Sequence, residues 1–137
     1  MRLVFAILMS LILGPVTALA EAQSVRIELN KMEPQEAACQ AFLLIENGTE
    51  DAFDSLVLDL VMFDTDGIIA RRLAVDVAPL RAGRTSVKVF AMQGVACDGI
   101  GRVLVNDVLT CSANGAARDD CFDIIETTSR TGVELMN

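Results

Sequence analysis

Apolar and polar residues in this chain alternate with a period of two, the spacing of a half-buried strand. Val25, Ile27 and Leu29 alternate with Arg26, Glu28 and Asn30. After a connection over residues 31–38, which contains Pro34, a second strand is expected over 39–46, nearly continuous in Phe42-Leu43-Leu44-Ile45. Asn47-Gly48-Thr49 is turn chemistry. The longest apolar run after residue 20, residues 56–63, is interrupted only by Asp59 and centres a third strand over 53–64. Asp64-Thr65-Asp66-Gly67 then reads as a tight turn, with Gly67 supplying a positive φ. On the return over 68–77, Leu73, Val75 and Val77 face one way, and Arg72, Ala74 and Asp76 the other. A fifth strand is expected over 85–90, with Val87 and Val89 opposite Ser86 and Lys88. A glycine-rich loop follows over 94–101, then a sixth strand over 102–111 and a last one over 131–136. Residues 116–125 carry Ala117, Cys121, Ile124 and Ile125 on one helical side, which predicts a short C-terminal helix. Short strands separated by turn residues argue an all-β sandwich or barrel in one domain, and a sandwich of about seven strands is the reading adopted.

The first twenty residues depart from this pattern. Arg2 precedes an apolar run over 3–13 broken only by Ser10, Gly14-Pro15 interrupts any helix, and Ala18-Leu19-Ala20 has the form of a cleavage site ahead of Glu21. A Sec-type signal over 1–20 is therefore expected, with cleavage after Ala20 and a periplasmic or secreted domain over 21–137. A membrane span needs about 20 apolar residues, so no stable insertion is expected after cleavage. No Arg-Arg pair precedes the run and no Cys follows Ala20, which argues against twin-arginine export and lipid attachment.

Cleavage removes one basic residue, Arg2, from 11, leaving 10 against 19 acidic and a net charge of −9. That balance argues against binding nucleic acid, which rests on Lys and Arg at phosphates. The four cysteines, Cys39, Cys97, Cys111 and Cys121, form an even set in an exported chain and read as disulfides. Three connectivities exist. Cys39–Cys97 with Cys111–Cys121 is favoured, because the second pair flanks the Asn114-Gly115 turn and the first ties the start of a strand to a loop.

Three segments between residues 41 and 90 carry a resemblance. Leu60-Val61-Met62-Phe63-Asp64 with Gly67 in the following turn, Ile45-Glu46-Asn47-Gly48-Thr49 upstream, and Leu80-Arg81-Ala82-Gly83-Arg84-Thr85 downstream resemble small bacterial secreted immunoglobulin-like domains of the FxLYD type. Leu60, Met62 and Phe63 replace the motif's Phe, Leu and Tyr. All stay apolar, and the Tyr hydroxyl is lost. The whole chain is also similar to an uncharacterised family of exported, periplasmic proteins of alpha-proteobacteria. The resemblance implies an immunoglobulin-like sandwich and an accessory or binding module, with no activity attached.

Catalytic chemistry finds few candidates. The sequence has no His, so a Ser-His-Asp or Cys-His arrangement cannot be assembled within it. There is no G-x-S-x-G, no P-loop and no C-x-x-C, and Gly99-Ile100-Gly101 reads as loop. Asp64-Thr65-Asp66-Gly67 is similar to part of a calcium loop, but Leu73 stands where the closing Glu is required. A weak calcium site would need Glu50, Asp51 or Asp54 nearby. Asp119 and Asp123, four apart on the expected helix, read either as paired carboxylates or as a solvated face. No catalytic residue, cofactor or metal is assigned.

The basic residues are unevenly spread: Arg71, Arg72, Arg81, Arg84 and Lys88 cluster within 18 positions. If residues 71–77 and 85–90 pair as a hairpin, they share one edge or face. That patch reads either as a docking surface for an anionic partner or as edge protection by charge. Asn47-Gly48-Thr49 is formally a glycosylation sequon, read here as a turn. The expectation is a non-enzymatic periplasmic binding module whose partner is another envelope protein. The alternatives are an inhibitor of an envelope hydrolase, presenting the 64–67 or 94–101 loop, and a thiol–disulfide or carboxylate-based enzyme.

Overall fold

The computed structural model describes Gly14 and residues 23–137, so apart from Gly14 the expected export segment lies outside the described residues. Nine strands are present among them: β1 (Val25–Gln35), β2 (Ala38–Asn47), β3 (Phe53–Asp64), β4 (Ile69–Asp76), β5 (Thr85–Gln93), β6 (Ile100–Ala113), β7 (Ala116–Ala117), β8 (Ile125–Ser129) and β9 (Glu134–Met136). They form a two-sheet sandwich. The first sheet runs β5-β2-β1-β8, the second β4-β3-β6-β7, with β9 also on β6.

The period of two explains the layers. Leu56, Leu58, Leu60 and Met62 of β3 are buried against Val25, Ile27 and Leu29 of β1 and Ala41, Leu43 and Ile45 of β2 in one core. β3 sits between β4 and β6, so it carries the longest apolar run of any of these strands. Asn114 and Gly115 both have positive φ (52° and 78°), the geometry of a two-residue hairpin turn, and they return β6 into β7.

Three expectations are corrected. β1 does not stop at Asn30. It slips register between Leu29 and Lys31 and runs on to Gln35, pairing Pro34 with Cys39. β8 covers β1 only over Val25–Leu29, so beyond that point β1 has a free side where proline is tolerated. The C-terminal helix is absent. Cys121 is instead held to Cys111, the Arg118 N–H donates to the Cys111 carbonyl at 3.0 Å, Phe122–Ile124 makes a single 3-10 turn, and Ile125 enters β8. The apolar positions that suggested a helical face are a disulfide, a turn and a strand. Finally, residues 71–77 and 85–90 do not form a hairpin. β4 pairs with β3 across the 64–67 turn, while β5 crosses to the other sheet and pairs with β2.

The sandwich has unlike sides. On one, β8 lies parallel to β1 and β9 parallel to β6, so the last residues of the chain lie on both sheets. On the other, β4 and β5 are the end strands of their sheets.

Candidate functional site

Both disulfides carry the favoured connectivity, Cys39–Cys97 and Cys111–Cys121, and no cysteine is left free. Cys39, Cys111 and Cys121 are buried.

The five clustered cations divide between two places. Arg72 stands on the outer face of the second sheet. Its Nε and Nη2 donate to Asp59 Oδ1 and Oδ2 at 2.7 and 2.8 Å, and Asn106 Nδ2 donates to Oδ2 at 2.8 Å. Asp59 is the residue that interrupts the β3 apolar run. It faces outward, yet it is only 2% exposed because these two side chains cover it. Arg72, then Asn106, hold its carboxyl below the ordinary value, and the Asp59 carboxylate in turn raises Arg72. Arg72 thus fastens the end strand β4 to β3 and β6.

The other four lie along the side where β4 and β5 end the sheets. Arg71 is opposite the buried Met62, so it points inward, and its guanidinium donates to the Gln93 carbonyl at the end of β5, from Nε at 2.9 Å. Lys88 is opposite the buried Leu43 and likewise points to the inner side of β5. Arg81 and Arg84 are exposed in the β4–β5 connection and line a shallow depression with Pro79, Thr85 and Ser86. Among the described residues none of these four pairs with a carboxylate, whereas every other Lys or Arg except Arg102 does. Arg102 lies over the Phe63 ring, 4.8 Å from its centroid. In the stretch from 67 to 97 the sole acidic residue is Asp76, whose carboxylate accepts from the Leu56 and Ala78 N–H groups.

The acidic candidates serve as structural acceptors. Asp64 Oδ1 accepts from the Asp66 and Ile68 N–H groups, both at 2.9 Å, which makes the 64–67 segment an Asx-type turn. Asp51 accepts from Asn114 and Arg118, and Asp54 accepts from the Gly115 N–H. These residues lie at the opposite end of β3 from Asp64, roughly 35 Å away at the rise of a strand, so the weak calcium grouping is not assembled. No group of three metal-ligating residues is found among the described residues. Asp119 and Asp123 share no helix; the Arg118 guanidinium instead binds Asp120 and lowers its pKa.

The sequon residue Asn47 is buried. Its amide nitrogen donates to the Asp51 and Arg81 carbonyls at 2.8 and 3.1 Å, and its oxygen accepts from the Thr49 N–H and hydroxyl. The Asn47 N–H donates to the Arg84 carbonyl, and the Gly83 N–H donates to the Thr49 carbonyl. Two segments that were separate in sequence, 45–49 and 80–85, are one clasp. The sequence gives little sign of it. Asp59 was more legible, since a lone carboxylate inside an apolar run must find a donor.

A small, disulfide-stapled β-sandwich with one cation-lined edge is the class of protein these features define. Against known proteins, no family model matches the chain and no curated protein matches it. A solved structure of IrmA from Escherichia coli is similar in fold, with a TM-score of 0.56 and 13% identity over 77% of this chain and 91% of that one. The shared property at that identity is the small β-sandwich itself.

Proposed function

We propose that the chain is an exported, non-enzymatic binding module that docks an anionic envelope protein through the edge formed by β4 and β5. The observation that carries this reading is the row of cations along that edge, Arg81, Arg84, Lys88 and Arg71, without carboxylate partners on a protein of net charge −8. Elsewhere among the described residues every cation but Arg102, which lies over Phe63, has a carboxylate beside it; here four are left for something else. Export, with cleavage after Ala20 into the periplasm, is supported by the two disulfides.

The finer fold reading, an immunoglobulin-like sandwich, is supported by strand order. With β1, β2 and β5 in one sheet and β3 and β6 in the other, the chain follows the A-B-E and C-F division of that fold, and β4 extends the C edge. The contacts between segments 45–49 and 80–85 give those motif residues a structural role.

The test is capture of a partner from the envelope of the source organism by the tagged, oxidised domain. Arg81→Glu with Arg84→Glu leaves the fold intact and abolishes capture. Unchanged capture by that variant overturns the docking edge.

A second reading, an inhibitor of an envelope hydrolase, is favoured by one observation. The 64–67 turn and the 94–101 loop stand together: a side chain at Gly101 would meet the Asp64 carbonyl oxygen at 2.5 Å, and Ile68 and Ile69 are each 64% exposed beside that turn. This reading requires a complex with a hydrolase that survives gel filtration.

A further inference from the structure

The hydrogen-bonding parity of β5 identifies which of its backbone groups are free. In an antiparallel pair, a residue's N–H and C=O point to the same side, and successive residues alternate. The Arg84 carbonyl accepts from Asn47, on the β2 side, while the Gln93 carbonyl accepts from Arg71, on the far side. The β2–β5 register runs from Ala38↔Gln93 to Glu46↔Thr85 without a slip. Thr85, Val87, Val89 and Ala91 therefore present both backbone groups to the open side, where β5 has no further strand. Side chains flank this row in two kinds. On the outer face Val87 and Val89 are 62% and 40% exposed, and they continue an apolar strip through Leu44 and Phe42, their partners on β2. On the inner side Lys88 occupies the middle, with Arg81 and Arg84 towards the start of β5 and Arg71 at its end.

We propose that the free edge of β5 takes up an extended segment of a partner protein, alternately acidic and apolar, as an added strand. This rests on the docking reading above and names the kind of partner segment involved. Strand addition supplies main-chain hydrogen bonds, and alternate side chains supply the selection. On an added strand, residues on the outer face extend the valine strip, while those on the inner side meet Lys88 and the flanking arginines. Apolar residues suit the first set and Asp or Glu the second. A second copy of this chain is disfavoured, because β5 against β5 brings Lys88 and the arginines together. An inward-pointing charge on an end strand blocks indiscriminate pairing. The same charge is answered by an acidic strand, so one device both excludes and selects.

The probe is a synthetic peptide of alternating Val and Glu, long enough to cover residues 85–91. Its controls are the same peptide N-methylated at the residues that would pair, a Val/Lys counterpart, and a peptide with Val and Glu in separate blocks. Binding is followed by calorimetry, and hydrogen exchange is read at individual amides of the oxidised domain. The alternating peptide binds and slows exchange at the Val87 and Val89 N–H groups. N-methylation weakens it by about tenfold or more through lost ladder hydrogen bonds. Equal binding of the methylated peptide overturns strand addition, and in that case loss of capture by the Arg81→Glu, Arg84→Glu variant still supports docking by charge. Equal binding of the Val/Lys counterpart or the block peptide overturns the selection. Binding without protection at Val87 and Val89 overturns the site.

Discussion

On one side of this sandwich the last residues of the chain lie on both sheets. Ile125 of β8 and Leu135 of β9 are buried in the common core, the Arg130 N–H donates to the Leu29 carbonyl, and Asn137 ties back to Ile125 and Thr127. On the other side β4 and β5 face each other as end strands. The Arg71 guanidinium on the Gln93 carbonyl crosses between them, and Arg71 and Lys88 place charge on the inner side of the two strands, opposite buried Met62 and Leu43. The contrast shows how one sandwich treats its two edges. Covering an edge with chain stabilises the fold and replaces a long edge by the short ones of β8 and β9. Guarding an edge with charge adds little to stability but leaves the backbone available to a matching strand.

The disulfides give the largest test of this contrast, because each belongs to a different side. Cys111–Cys121 anchors the segment that leads into the covered edge. Cys39–Cys97 joins β2 to the loop that follows β5. Their sequence separations are 10 and 58. Chain entropy alone then puts the cost of replacing each pair by serine at about 3 and about 4 kcal/mol respectively. Urea unfolding of the two double variants checks the order. A greater loss for the Cys111–Cys121 pair would show that anchoring the C-terminal strands outweighs loop length.

Side chains sharpen the same comparison at a smaller scale. Leu135→Ala opens a hole among Ile27, Leu29, Val103 and Val105 on the covered side. It should cost about 3 kcal/mol, as large-to-small core changes do. Leu73→Ala on β4 removes a side chain that is only half-buried, and about 1 kcal/mol is expected from the area lost. Equal losses would mean that the β4 side is packed as firmly as the other.

How much of this was legible in the sequence follows from the range of the interactions involved. β3 was readable to the residue, because alternation and turn chemistry at both ends are local. The disulfide pairing followed from a turn between two cysteines and from strand position. The pairing of β5 was not readable. Nothing local distinguishes a strand that turns back onto its predecessor from one that crosses to the other sheet, and the cation patch inherited that ambiguity. The helix over 116–125 failed because a strand entry, a 3-10 turn and a disulfide happened to share the helical period. The Asn47 clasp joins loops more than thirty residues apart, so composition held no trace of it. The free backbone row on β5 is a property of sheet order and becomes visible only once the neighbours of β5 are known.

An effect as small as that of Leu73→Ala concerns the polar strap that holds the open side. Arg72 and Asn106 on Asp59 fasten β4 across the outer face, where the covered edge uses buried Ile125 and Leu135. Arg72 lowers the Asp59 carboxyl in the folded state, so the unfolded chain takes up its proton at higher pH than the folded one. The stabilisation is therefore fully present above the ordinary carboxylate value, near pH 4, and is lost as pH falls through the lower folded value. Asp59→Asn should cost about 1 kcal/mol at neutral pH, the size of a charged hydrogen-bonded contact reduced by the solvent exposure of Arg72. As pH falls below 4 and on through the lower folded value, the cost should shrink towards zero, because the native carboxyl is protonated only there. The difference in urea midpoint between the two proteins, followed from pH 7 to pH 2.5, measures it and removes what the other carboxylates contribute to both. A difference that stays constant across that range would mean that the strap acts by shape and not by charge. Edge strand β4 would then be held as its apolar counterparts on the far side are.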